Sequence, residues 1–168
     1  VYKSPLCFKP TLSEYGRVYH IAASIPKHIR TCMRTKDNKL LWEVDMSSAQ
    51  LSLLVMEWLK ELTNKNVPVT KEMKVEIKLH LDLLNKGGFY KHIQDNSKYC
   101  REMEYSLLKL NILKTLNKKY YPSPLLDELK RIFPFFLDFI IQKKIPNHKI
   151  VSHMGFRAES AIFIAEYM

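Results

Sequence analysis

Between Leu51 and Leu62 the chain packs Leu51, Leu53, Leu54, Val55, Met56, Trp58, Leu59 and Leu62 so closely that no single helix face can carry them all. A surface helix repeats its apolar residues every three or four positions and leaves its other face polar. A helix over residues 47–63 must therefore be covered on several sides, and the rest of the chain has to supply the cover. With 168 residues, 46% of them apolar, one compact unit can do so.

Local punctuation divides that cover into further helices. Residues 64–69 read as a turn, and Thr70 can cap a helix running to about Asn85 that Gly87-Gly88 closes. Strand competes over residues 75–81, where Val-Glu-Ile-Lys-Leu-His-Leu alternates, but Leu83-Leu84 breaks the alternation and favours helix. Residues 89–95 predict one or two helical turns, and residues 97–118 a long helix carrying Leu107, Leu108, Ile112 and Leu116. Pro122-Ser123-Pro124 stops the chain and restarts it, with Ser123 as N-cap and Pro124 at the first position of a helix 125–143 that Pro134 kinks or breaks. A last helix spans residues 148–168 after Pro146. Residues 1–38, with Pro5, Pro10, Gly16 and Pro26, read as extended or looped, with a strand expected at 17–22 and a short helix at 27–33.

Lys and Arg number 27 against 17 Asp and Glu, a formal +10 that favours a polyanionic partner, either nucleic acid or an anionic membrane. No apolar run reaches the roughly 20 residues that span a bilayer, and nothing at the start resembles a signal peptide, so a cytoplasmic protein without a membrane segment is expected. Cys7, Cys32 and Cys100, odd in number and far apart, suggest free thiols, neither a disulfide frame nor a zinc site. No Gly-rich phosphate loop, nucleophile elbow or zinc signature occurs, and His153, Arg157 and Tyr167 lack the spacing of a tyrosine recombinase. His80 and His92 read as exposed helix residues. The chain begins at Val1 and stops at Met168 inside an apolar run, as an excerpt from a longer protein would.

The junction ahead of the central helix is the richest in chemistry. Trp42 and Val44 alternate with Glu43 and Asp45 as on a short strand over residues 39–45, and the pattern turns helical after Ser47 and Ser48, both good N-caps. An aspartate at a strand end beside a helix start can face a cleft, and such a carboxylate suits Mg²⁺. On the helix 97–118, Arg101, Tyr105, Lys109 and Leu113 stand four apart and form one stripe that drifts about 40° per step.

Along the chain these features stand in a fixed order: Gly16-Arg17, Ser24-Ile25-Pro26 with Arg30, Asp45-Met46-Ser47-Ser48-Ala49-Gln50-Leu51-Ser52, Gly88-Phe89-Tyr90-Lys91-His92, then the Lys109 stripe. That order resembles the family A DNA polymerases, the DNA polymerase I superfamily, and most closely its divergent phage-like members. The resemblance implies an α+β fold, mostly helical, with a small antiparallel, palm-like strand element packed against a long fingers-like helix bundle. Residues 1–63 would form the palm-like lead-in with Asp45, and residues 64–168 the fingers-like helices, within a single unit.

The same resemblance implies template-directed nucleotidyl transfer by a two-metal mechanism, on a primer–template with a nucleoside triphosphate, in a bacterial or phage-infected cell. Under it, Asp45 is the catalytic carboxylate and, with the carbonyl of Met46, a ligand of Mg²⁺. Lys109 neutralises the triphosphate with Arg101, Tyr105, Gln50 and Arg30 around the nucleotide, while Arg17 and Lys27 contact nucleic acid. The chain departs from the family where Tyr105 stands for an arginine, Leu113 and Asn117 for an aromatic pair, and Gln50 for a glutamate that screens the sugar. The family's second metal-binding aspartate belongs to a later His-Asp motif that these residues do not contain. The chain alone is therefore expected to be inactive and to need the remainder of the parent polymerase.

Plainer readings stay open. The chain could be a non-catalytic, basic helical module that binds nucleic acid through charge, or an interaction domain exposing Phe133, Phe135, Phe136 and Phe139. Asp45 also suits a helix N-terminus, Lys109 a snorkelling surface position, and Arg17 and Arg30 a solvated surface.

Overall fold

The computed structural model describes residues 11–13, 18–19, 25–34, 36–40 and 48–164, and leaves the side chains of residues 12, 18, 19, 27, 30 and 162–164 undescribed. Two short strands, β1 (Thr11–Leu12) and β2 (Val18–Tyr19), pair antiparallel with Thr11 opposite Tyr19 and Leu12 opposite Val18. A one-turn helix α1 (Lys27–Arg30) follows. Then come the seven helices of the body: α2 (Ala49–Asn64), α3 (Lys71–Asn85), α4 (Phe89–Asn96), α5 (Tyr105–Asn117), α6 (Pro124–Ile132), α7 (Pro134–Lys144) and α8 (Ile150–Ile164).

That body is all α, which overturns the expected α+β fold. The β1–β2 ladder is too short to bury a face, and the other strand-like pairing among the described residues is a single bridge between Arg34 and Leu40. The helices bury their apolar faces on one another, so their core closes without a sheet. Most of the expected strand 39–45 lies outside the described residues.

The breadth of the apolar pattern on α2 has the expected consequence. Leu51, Leu53, Leu54, Val55 and Trp58 are all buried, with α8 laid along the helix and α7 packed beside it. Removing one such large side chain from water stabilises the fold by roughly 1.5–3 kcal/mol. Both α2 and α3 then end the same way, on a residue with a left-handed backbone. At α2 it is Asn66 (φ 48°), with Asn66 N–H donating to the Thr63 carbonyl at 3.2 Å and Val67 N–H to the Leu62 carbonyl at 3.0 Å. At α3 it is Gly87 (φ 65°), with Gly87 N–H donating to Leu84 at 3.2 Å and Gly88 N–H to Leu83 at 2.9 Å. The paired bonds satisfy carbonyls that a helix end otherwise leaves open.

Helix α3 settles the competition over residues 75–81 in favour of helix, and Thr70 caps it by accepting from Met73 N–H at 3.2 Å. The expected helix 97–118 starts late, at Tyr105. Ser97 turns its hydroxyl to its own downstream backbone, accepting from Cys100 N–H at 3.1 Å, and the chain makes a turn there. Glu104 becomes the cap, taking Ser106 N–H at 3.0 Å and Leu107 N–H at 3.1 Å.

Pro134 breaks the expected helix 125–143 into α6 and α7. Pro134 has no N–H to satisfy, and Leu137 N–H donates to the Phe133 carbonyl at 3.0 Å. The two N–H groups between them are taken by Glu76, which reaches over from α3: Phe135 N–H at 3.0 Å and Phe136 N–H at 2.8 Å. Ser123 and Pro124 start α6 as expected, with Leu126 N–H on the Ser123 hydroxyl at 3.2 Å.

Two sequence expectations fail in this core. Phe133, Phe136 and Phe139 are buried, so they offer no exposed patch. His80 is not exposed but fully buried, its ring 4.4 Å from Phe133, 4.9 Å from Phe136, 5.7 Å from Phe89 and 5.8 Å from Trp58, centroid to centroid. Among the described residues no helix is long and apolar enough to cross a membrane.

Candidate functional site

The turn at Gly87-Gly88 delivers Phe89 and Tyr90 to the first turn of α4, and both side chains are buried. Phe89 stacks on Phe133 at 5.0 Å inside the core. Tyr90 faces elsewhere, toward α5 and the start of α2. Its ring meets that of Tyr105 edge-on at 6.2 Å, and the Lys109 ammonium lies 5.7 Å from its centroid. A cation over a tyrosine face gains roughly 0.5–1 kcal/mol where it stays exposed, as Lys109 does.

The Tyr90 phenol is hydrogen-bonded with the Ser48 side chain. Burial pushes the phenol up to about 12, Tyr105 adds to the rise, and the Ser48 bond opposes it. The group therefore stays protonated across the physiological range. Ser48 was expected to cap α2 with its hydroxyl, but it makes no capping bond. Its backbone is left-handed instead, at φ 53° and ψ 35°, a conformation that costs an L-residue about 1–2 kcal/mol. This strained serine lies three positions beyond Asp45.

Helix α5 is anchored at its other end as well. Lys144, the last residue of α7, is buried and donates from Nζ to the Thr115 carbonyl at 2.6 Å, and burial pushes its ammonium down to about 8. Close by, Asn117 Oδ1 accepts from Gln50 Nε2 at 2.7 Å and from Ser152 Oγ at 2.8 Å, while Asn117 Nδ2 donates to the Leu113 carbonyl at 2.9 Å. This node ties α2, α5 and α8 together. It also engages the amide N–H of Gln50, one of the residues expected near the nucleotide.

The other expected residues fall as follows. Tyr105 and Lys109 share the exposed face of α5. Arg101 is exposed in the turn before α5 and off the helix, so the four-residue stripe is broken at its first member. Lys27 and Arg30 sit on α1 with undescribed side chains, and Arg17, Asp45 and Met46 lie outside the described residues. Among the described residues no three His, Cys, Asp or Glu side chains gather as a metal site. A metal at this site would depend on Asp45 and Met46.

Sequence reasoning missed Tyr90 as the hub of the cluster, because its partners come from two other segments, the start of α2 and α5. The one local signal was its place directly after Gly87-Gly88-Phe89 at a helix start. Glu76, Asn117 and Lys144 were missed for the same reason, each acting on a distant helix. No family model matches the chain, and neither a curated protein nor a solved structure matches it.

Proposed function

We propose that the chain carries the nucleotide-binding part of a template-directed nucleotidyltransferase resembling the family A DNA polymerases, with a primer–template and a nucleoside triphosphate as partners. The observation that supports this best is the Tyr90 hub. Ser48 just beyond Asp45, the Gly88-Phe89-Tyr90 segment and the Lys109 helix are three of the five pieces whose order resembles the family, and Tyr90 joins those three.

In this reading the exposed Lys109 ammonium neutralises the triphosphate, a task suited to a point charge on a flexible stem. Tyr105, 47% exposed and braced by the Tyr90 ring, offers a face to the base. The left-handed Ser48 is the kind of strained backbone that persists at working positions. Asp45 and the Met46 carbonyl would hold Mg²⁺, which when bound supplies charge neutralisation on phosphate oxygens and activates an attacking hydroxyl. Arg17, Lys27 and Arg30 would meet the nucleic acid backbone, and Arg101 would add charge beside Lys109.

Titration with a fluorescent nucleoside triphosphate in the presence of Mg²⁺ tests the reading. Lys109→Ala should weaken binding about tenfold, the worth of one charge-assisted contact. Equal affinity in the variant would sink it. The second reading, a non-catalytic basic module, draws on the net +10 and on an α5 without a single carboxylate. It predicts nucleic acid binding that needs no Mg²⁺ and no affinity for the triphosphate.

A further inference from the structure

Between Glu104 and Asp127 the chain has four lysines, Lys109, Lys114, Lys118 and Lys119, and no carboxylate. The last two open the segment between α5 and α6, where Lys118, Lys119, Tyr120, Tyr121 and Pro122 are exposed in succession. Its backbone is extended at both ends, with Lys118 at φ −75°, ψ 165° and Ser123 at φ −155°, ψ 151°. Tyr120 is 48% exposed, with Lys130 of α6 within its electrostatic reach, whereas Tyr121 stands 79% exposed to solvent. An aromatic ring held that far out adds nothing to the core, and the same short segment carries two lysines.

We propose that this segment seats an unpaired nucleic acid strand, with Tyr121 stacked on a base and Lys118 and Lys119 against flanking phosphates. Every base presents a flat face to an aromatic ring, and a basic groove follows the backbone whatever the sequence. A duplex hides those faces between its own base pairs, so it can use the lysines but not the ring. Insertion into a membrane surface draws on the broad apolar face of an amphipathic helix, whereas the extended Lys-Lys-Tyr-Tyr-Pro offers two tyrosine rings and no helix. The inference deepens the transferase reading and rests on it only for the choice of nucleic acid as the polyanion.

The test uses the whole chain and a labelled oligothymidylate about 15 nucleotides long, followed by fluorescence anisotropy without Mg²⁺ or nucleotide across a salt series. Tyr121→Ala should weaken binding about tenfold at an unchanged salt slope, and Tyr121→Phe should bind as the native chain does. Lys118→Ala with Lys119→Ala should flatten the slope of log affinity against log salt by about 1.4, two phosphates at about 0.7 each. All three side chains are exposed, and unchanged thermal unfolding would verify that the variants fold.

Unchanged affinity in Tyr121→Ala would overturn the proposal. So would equal binding of a duplex of the same length, or tighter binding to phosphatidylserine vesicles than to the oligonucleotide. If Tyr121→Ala has no effect while Lys109→Ala weakens triphosphate binding, this inference alone fails. If Tyr121→Ala weakens strand binding while Lys109→Ala leaves triphosphate binding intact, the transferase reading alone fails.

Discussion

Two polar clusters join the helices, a buried one on the inner face of α3 and a half-buried one where α2, α5 and α8 meet. The first is ionisable. Glu76 gives both carboxylate oxygens to the N-terminus of α7, and one turn on, His80 turns Nδ1 to the Glu76 carbonyl at 3.0 Å. His80 Nε2 has no hydrogen-bond partner among the described residues and is enclosed by aromatic rings. The second cluster, Gln50, Asn117 and Ser152, is neutral, and Asn117 serves both neighbours. Each joins elements far apart in sequence, but only the first ties the packing to protonation. Burial raises the Glu76 carboxyl above its ordinary value and pushes the His80 imidazole down to about 4.

The contrast can be broken most forcefully at Glu76. Glu76→Ala leaves the buried N–H of Phe136 and the half-buried N–H of Phe135 without an acceptor, and should cost about 3 kcal/mol at 1–3 kcal/mol per orphaned group, the half-buried one at the low end. Urea unfolding measures it. Glu76→Gln should lose about half as much, since its amide keeps one acceptor oxygen. If Ala and Gln cost the same, the cap is not what holds α7.

The next effect is a pH dependence centred on the α3 cluster. The folded pKa of His80 lies below the ordinary 6.5, so the unfolded chain binds its proton first. Its contribution is complete above 6.5 and is lost as pH falls toward about 4, a total of about 3 kcal/mol. Glu76 runs the other way: its raised pKa gives stability present below 4.5 and lost as pH rises through the folded value. Urea midpoints across this window, in the native chain and in His80→Leu, separate the two. The variant should show a shallower acid-side decline than the native chain, the part that remains belonging to His92 and to the hydrogen-bonded carboxylates of Glu61, Glu104 and Glu128, and parallel curves would refute the assignment to His80.

These clusters also mark the boundary of what could be read from sequence. Signals that act within a few residues were legible: Thr70 and Ser123 as caps, Pro134 as a break, Gly87 as a helix end, and the all-round apolar pattern that made α2 central. Glu76 was not, because its partners lie some sixty positions away and nothing beside it announces a cap. His80 sat in an alternating apolar run that looked half exposed, and it is the arrival of Phe133 and Phe136 from either side of Pro134, with Phe89 and Trp58, that encloses it. At the candidate site, spacing alone put Tyr105 and Lys109 on one face. The same spacing misplaced Arg101, since Ser97 made a turn where a continuous helix was expected.

On the neutral side, Asn117→Ala should cost about 1–2 kcal/mol, the worth of two hydrogen bonds whose donors, on Gln50 and Ser152, are half-buried and can regain water. That loss should stay constant across the pH window in which the His80 contribution disappears, which sharpens the contrast between the clusters.

The smallest effect concerns the hub of the candidate site. Tyr90→Phe keeps the ring against Tyr105 and Lys109 and removes only the bond to Ser48, so it should cost under about 1 kcal/mol. Its value lies in combination with Ser48→Gly. In the native chain that substitution removes the same hydrogen bond but relieves the left-handed backbone, which glycine adopts freely, so the two effects nearly cancel. In the Tyr90→Phe background the bond is already absent and only the relief remains, so Ser48→Gly should stabilise by about 1 kcal/mol. A double-mutant cycle isolates that coupling. Zero coupling would mean that Tyr90 does not hold Ser48 in place, and the link from Lys109 to the residues just beyond Asp45 would be lost.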